Sequence, residues 1–138
     1  MTRFLMKLED AINLVIYAIR YGANGQIIVP KTPAANILDL AKAVCKIYNY
    51  KFNPKIIGTR HGEKKHETLL SSEEKALSIE KSKYYLIKQD NRDLNYDKYF
   101  SKGAKILSKT DVYSSNSNKL LKENQIINLI KSTSLIKK

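Results

Sequence analysis

The stretch GTRHGEKKHETLL, residues 58–70, gathers one arginine, two histidines and two glutamates between glycines and a pair of leucines. Three chemistries use such residues: metal ligation, general-base catalysis and the grip of a phosphorylated ligand. His61, Glu63 and His66 are donor types for a metal, and Gly62-Glu63-Lys64-Lys65-His66 is one residue from the zinc pattern His-Glu-x-x-His. The differing residue decides the matter, because Gly62 stands where the first imidazole must be. His61-x-Glu63 also echoes a zinc-deaminase signature, which needs two further cysteines. The chain has one cysteine, Cys45, so no metal is assigned.

For catalysis, His61 or His66 is of the residue type that most often serves as a general base. No serine or cysteine lies in a recognisable nucleophile elbow, and the histidines read as solvated. No catalytic residue is assigned. Phosphate binding fits better. LysIleIle at 55–57 reads as a short strand after Asn53-Pro54, which would deliver Arg60 to a strand's end, where α/β folds bind ligands. A guanidinium forks onto two oxygens of a diphosphate. Glu63, acceptor-only when ionised, can take both hydroxyls of a ribose diol. The rival is a plain turn carrying a surface ion pair, and spacing alone leaves both open.

The elements that must position this stretch follow from periodicity. Leu8, Ala11, Ile12, Val15, Ile16 and Ile19 form one stripe of a helix over 8–21, with Glu9 and Asp10 in its first turn and Arg20 in its last. Gly22 and Asn24-Gly25 turn the chain into a short strand at 26–29. Thr32 and Pro33 are read as opening a second helix, with Ile37, Leu38, Ala41, Val44, Cys45 and Tyr48 inward. Ser71 or Ser72 caps a short helix running to about Ile79. TyrTyrLeuIle at 84–87 reads as a strand and 90–100 as a loop. The polar run SSNSNK precedes a last amphipathic helix over 120–130.

Composition bounds the rest. A chain of 138 residues with 43% hydrophobic content suits one domain with a real core. One cysteine suits a reducing cytosol. No apolar run nears the ~20 residues that span a bilayer, and Glu9 and Asp10 against the first apolar run argue against a signal peptide. A cytoplasmic location is the expectation. The net charge of +12 invites a nucleic-acid reading, but only Arg3, Arg20, Arg60 and Arg92 of the 25 basic residues are arginine. Scattered lysines make a solvated face rather than a forked reader of phosphates.

Several motifs, in one order along the chain, carry a family resemblance. They are MTRFLM at the start, GTRHGEK with Glu67, ThrLeuLeu and Glu73-Glu74 in the middle, and DNRDLNYDKYF and SSNSNKL later. The series resembles the C-terminal, substrate-binding part of bacterial polysaccharide-biosynthesis nucleotide-sugar enzymes of the extended short-chain dehydrogenase family. These include UDP-N-acetylglucosamine 4,6-dehydratases/5-epimerases and relatives labelled UDP-glucose 4-epimerase. The resemblance implies a small α/β lobe of short strands and two to four helices, covering 1–87, with a family-specific extension over 88–138. It implies a UDP-sugar ligand, with Arg60 on the diphosphate, Glu63 on the ribose and Arg3 as a second arginine near the phosphates. His66 stands where relatives more often carry an aromatic or aliphatic residue.

The family's other half is not legible here. Glycines 22, 25, 58, 62 and 103 form no dinucleotide fingerprint, so the NAD(P) implied for the complete enzyme has no site in this chain. Tyr84 and Lys88 match the family's Tyr-x-x-x-Lys pair formally, but a strand sets them too far apart to act together. The implied picture is a lobe without its Rossmann domain, whether truncated, split or excised, and not catalytic alone. Its expected partner is a Rossmann-domain polypeptide or the missing N-terminal half, and homo-oligomerisation stays open. A basic RNA- or anion-binding module and a non-catalytic remnant are the rival readings.

Overall fold

The computed structural model describes residues 1–89 and 112–133. The loop read over 90–100 lies outside the described residues. Two compact units appear where the length suggests one domain.

The first unit takes Met1–Leu8, Thr32–Thr68 and the segment from Ser114. Strand β1 (Thr2–Phe4) pairs antiparallel with β3 (Ala34–Asn36), Arg3 opposite Ala35. Helix α2 (Ile37–Ile47) follows at once. Its start lies later than Thr32-Pro33 predicts, because the β1 pairing holds residues 34–36 extended. The Asn36 side chain then caps the helix, accepting the Leu38 N–H at 2.9 Å.

Ala43 on α2 and Ala35 pack with Ile126 of the last helix, in a cluster edged by Leu5, Leu40, Leu121 and Ile130. The covered side of α2 is therefore Leu40 and Ala43. Leu38, Val44 and Tyr48, read as inward, are exposed. Helix α2 is apolar on more than one side, so periodicity alone did not fix which side is covered. The last helix runs over Glu123–Lys131, with the Gln125 side chain accepting the Lys122 N–H at its start.

The strand read at 55–57 does not form. Backbone polar groups of a strand need a partner, and 55–57 has none among the described residues. Ile56 and Ile57 stand 83% and 66% exposed.

The second unit takes Glu9–Lys31 and Leu69–Tyr113. Helix α1 runs over Leu8–Tyr21 as its spacing predicts. Its half-buried residues are Ala11, Leu14, Tyr17 and Ala18, whereas Leu8, Ile12, Val15, Ile16 and Ile19 are exposed. Strands β2 (Ile27–Pro30), β6 (Tyr84–Ile87) and β5 (Ser78–Glu80) form an antiparallel sheet in the order β2-β6-β5. Tyr84 and Tyr85 therefore lie in a central strand, and Tyr84 stacks on Tyr17 with ring centroids 4.4 Å apart.

Before that sheet, β4 (Thr68–Leu70), which pairs with β7 (Tyr113–Ser114), leads into α3 (Ser72–Leu77). A reciprocal cap opens α3: Ser71 Oγ accepts the Glu74 N–H, and the Glu74 carboxylate accepts the Ser71 N–H. In the helix over Glu123–Lys131, numbered α4 from here on, Ile126 is fully buried. No helix among the described residues is long and apolar enough to cross a membrane.

Candidate functional site

The chemistry-bearing stretch is a loop of the first unit with two unlike halves. Residues 60–63 form a tight turn. The Glu63 N–H donates to the Arg60 carbonyl at 3.1 Å, and Gly62 has φ +79. A positive φ at the third position, with none at His61, defines a type II turn, which favours glycine there. Gly58 has φ +80 on the near side. The Glu63 carboxylate folds back, its Oε2 accepting the Arg60 N–H at 3.0 Å. Arg60 and Glu63 thus share one turn, and both are exposed. The Arg60 guanidinium has no hydrogen bond or ion pair among the described residues.

The second half, 64–67, is fastened residue by residue. The Thr2 N–H donates to the Lys65 carbonyl at 2.9 Å. Arg3 reaches the same backbone, Nη2 donating to the Lys64 carbonyl at 2.9 Å and Nη1 to the Thr2 carbonyl at 2.7 Å. Its Nε lies 3.5 Å from Glu67 Oε1. The other carboxylate oxygen of Glu67 accepts the Phe4 N–H at 3.3 Å. Arg3 therefore directs its donors at the protein's own loop.

Beneath it runs a chain of side chains. Thr2 Oγ1 is 2.8 Å from His66 Nδ1 and 2.6 Å from Ser115 Oγ. Ser115 Oγ in turn accepts the Glu67 N–H at 2.9 Å. Two hydroxyls in series satisfy either direction of donation, whichever role the imidazole nitrogen takes.

Sequence reading missed Thr2 and Ser115, and gave His66 no place. Ser115 sits in a run that looks merely polar, and its partners lie 48 and 113 positions away. Only the fold joins them. Among the described residues no group of three or more His, Cys, Asp or Glu side chains is placed to hold a metal.

Elsewhere, Lys31 Nζ lies 2.6 Å from Glu80 Oε1 and 4.9 Å from the Tyr85 ring centroid. The Lys31 hydrogen bond and charge hold the Glu80 carboxyl below its ordinary range. Burial, with the Glu80 charge beside it, pushes the Tyr85 hydroxyl up. These groups serve the sheet of the second unit.

What such a loop can do chemically is bind. A guanidinium on this turn, three residues from a carboxylate, offers paired donors suited to an anion beside acceptors suited to hydroxyls.

Comparison with known proteins gives a consistent result. A model described as "Polysaccharide biosynthesis protein" matches residues 1–89, and one described as "Polysaccharide biosynthesis protein C-terminal" matches residues 90–137. A protein named UDP-glucose 4-epimerase from Rickettsia bellii (strain OSU 85-389) is 48% identical over 130 residues, 94% of this chain and 38% of that protein. A protein of the same name from Rickettsia prowazekii (strain Madrid E) is 44% identical over 138 residues, all of this chain and 40% of the relative. This chain thus spans about two fifths of the length of these relatives.

Among solved structures, Pen from Bacillus thuringiensis superposes with a TM-score of 0.78 at 22% identity, over 99% of this chain and 39% of that one. At that identity the likeness concerns the fold. The expected small α/β architecture is met, with four helices and short antiparallel strands among the described residues.

Proposed function

This chain belongs to the polysaccharide biosynthesis protein family, and on that premise we propose that it is the UDP-sugar-binding part of an enzyme that remodels a nucleotide sugar for surface polysaccharide assembly. The observation that carries the reading is the turn at 60–63. It holds a guanidinium without a partner among the described residues and a carboxylate with one oxygen engaged. In the proposed complex Arg60 forks onto the diphosphate, and Glu63 turns its remaining acceptor capacity to the ribose hydroxyls. Arg3 acts from behind, holding the loop through the Lys64 and Lys65 carbonyls. The relatives' name, UDP-glucose 4-epimerase, supports a uridine diphosphate handle.

Sequence motifs favour the 4,6-dehydratase group, and the relatives' name favours 4-epimerisation. Both reactions begin at C4 of a UDP-sugar, so the proposed binding role is common to them.

The resemblance also implies a nicotinamide dinucleotide, and the described residues do not fit one. Such cofactors lie where parallel strands enter helices through glycine turns. Here the β1–β3, β2–β6 and β5–β6 pairs are antiparallel, and β3 enters α2, as β4 enters α3, without a glycine. No redox step is therefore assigned to this chain.

Isothermal titration of UDP into the chain tests the reading. Arg60→Ala and Glu63→Ala are each expected to weaken binding roughly tenfold or more, the worth of a charge-assisted contact. Unchanged affinity in both variants contradicts it.

A further inference from the structure

The turn that carries Arg60 and Glu63 is fastened from one side. Downstream, four successive residues are held: the Lys64 carbonyl by Arg3, the Lys65 carbonyl by Thr2, the His66 imidazole by the Thr2 hydroxyl, and Glu67 by Ser115 and Phe4. Upstream, Gly58 has a positive φ with open space around it, and 51–57 makes no strand. The direction in which Arg60 projects is thus set by residues 64–67.

One atom joins those restraints. Ser115 Oγ is wholly buried, accepts the Glu67 N–H, lies 2.6 Å from Thr2 Oγ1 and donates to the Thr2 carbonyl at 3.3 Å. The Ser115 N–H also donates to the Glu67 carbonyl at 2.8 Å, so backbone and side chain grip the same residue.

We propose that Ser115 is a positioning residue for nucleotide recognition, a latch supplied by the C-terminal segment that aims the Arg60–Glu63 turn at the diphosphate. The inference rests on the binding role proposed above. Without the Ser115 hydroxyl, Thr2 Oγ1 and the Glu67 N–H lose their common buried partner. The loop then shifts or frays to find water, and Arg60 is misdirected although its own contacts are untouched.

The experiment is a double-mutant cycle on UDP affinity using the full chain, Arg60→Ala, Ser115→Ala and the pair. Ser115→Ala is expected to weaken UDP roughly tenfold and to move the Gly62 and Glu63 amide resonances of the free protein. In its background Arg60→Ala is expected to cost less than about threefold, since a misdirected guanidinium has little effect left to remove. Equal losses from Arg60→Ala in both backgrounds overturn the proposal, as does wild-type affinity in Ser115→Ala. If Ser115→Ala does not fold, Thr2→Val, similar in shape and lacking the hydroxyl, is read by the same criteria. If Arg60→Ala alone leaves UDP binding unchanged, the nucleotide reading fails, and the amide shifts decide the latch. Moved resonances support it and unmoved ones overturn it.

Discussion

Arg60 and Glu63 matter as a pair because a turn of four residues fixes their separation, and Gly62 makes that turn possible. An added Cβ at Gly62 meets nothing within 4 Å, so the cost of Gly62→Ala is that of the left-handed backbone alone. That cost is roughly 1–2 kcal/mol. The melting temperature is therefore expected to fall by several degrees and UDP affinity several-fold, read by calorimetry beside a thermal melt. A second residue-scale outcome concerns acid. Lys31 holds the Glu80 carboxyl below its ordinary 4.5, so the pair stabilises the fold above that pH and loses its effect as pH falls through the folded value. Glu80→Gln is therefore expected to lower the urea midpoint slightly at about pH 7, by an amount that shrinks as the pH is taken down through the lowered carboxyl.

At the scale of elements, periodicity and capping signals were legible and pairing was not. Helix α1 and the Ser71–Glu74 cap follow from local rules, since each depends on residues within four positions. The strand expected at 55–57 failed because an apolar triplet becomes a strand only beside another strand. Burial was misread for the same reason: α1 and α2 carry more apolar side chains than the neighbours of their own units cover. Two substitutions test that view by chemical denaturation. Ile19→Lys, at a site 79% exposed, is expected to change stability by less than about 0.5 kcal/mol. Ile126→Ala, at a site 0% exposed, is expected to cost about 2–5 kcal/mol. The candidate site divides likewise. Arg60 and Glu63 were picked out by residue type and spacing, with the turn that holds them standing only as the rival to a strand's end. The Thr2–His66–Ser115 chain, by contrast, spans 113 positions and was not legible.

At the scale of the whole molecule, the chain accounts for about two fifths of its relatives' length, and its described residues do not fit a nicotinamide. Incubation of the chain with NAD and either UDP-glucose or UDP-N-acetylglucosamine is expected to leave the sugar unchanged by chromatography. Appearance of a 4-epimer or a 4-keto sugar would show that redox groups lie within these residues after all. The most direct measurement is a UDP titration followed by backbone amide resonances across the chain. The expected result is saturable shifts centred on residues 59–64, with those of 65–67 following. Shifts confined to other segments, or none at millimolar UDP, contradict a nucleotide grip by the Arg60–Glu63 turn.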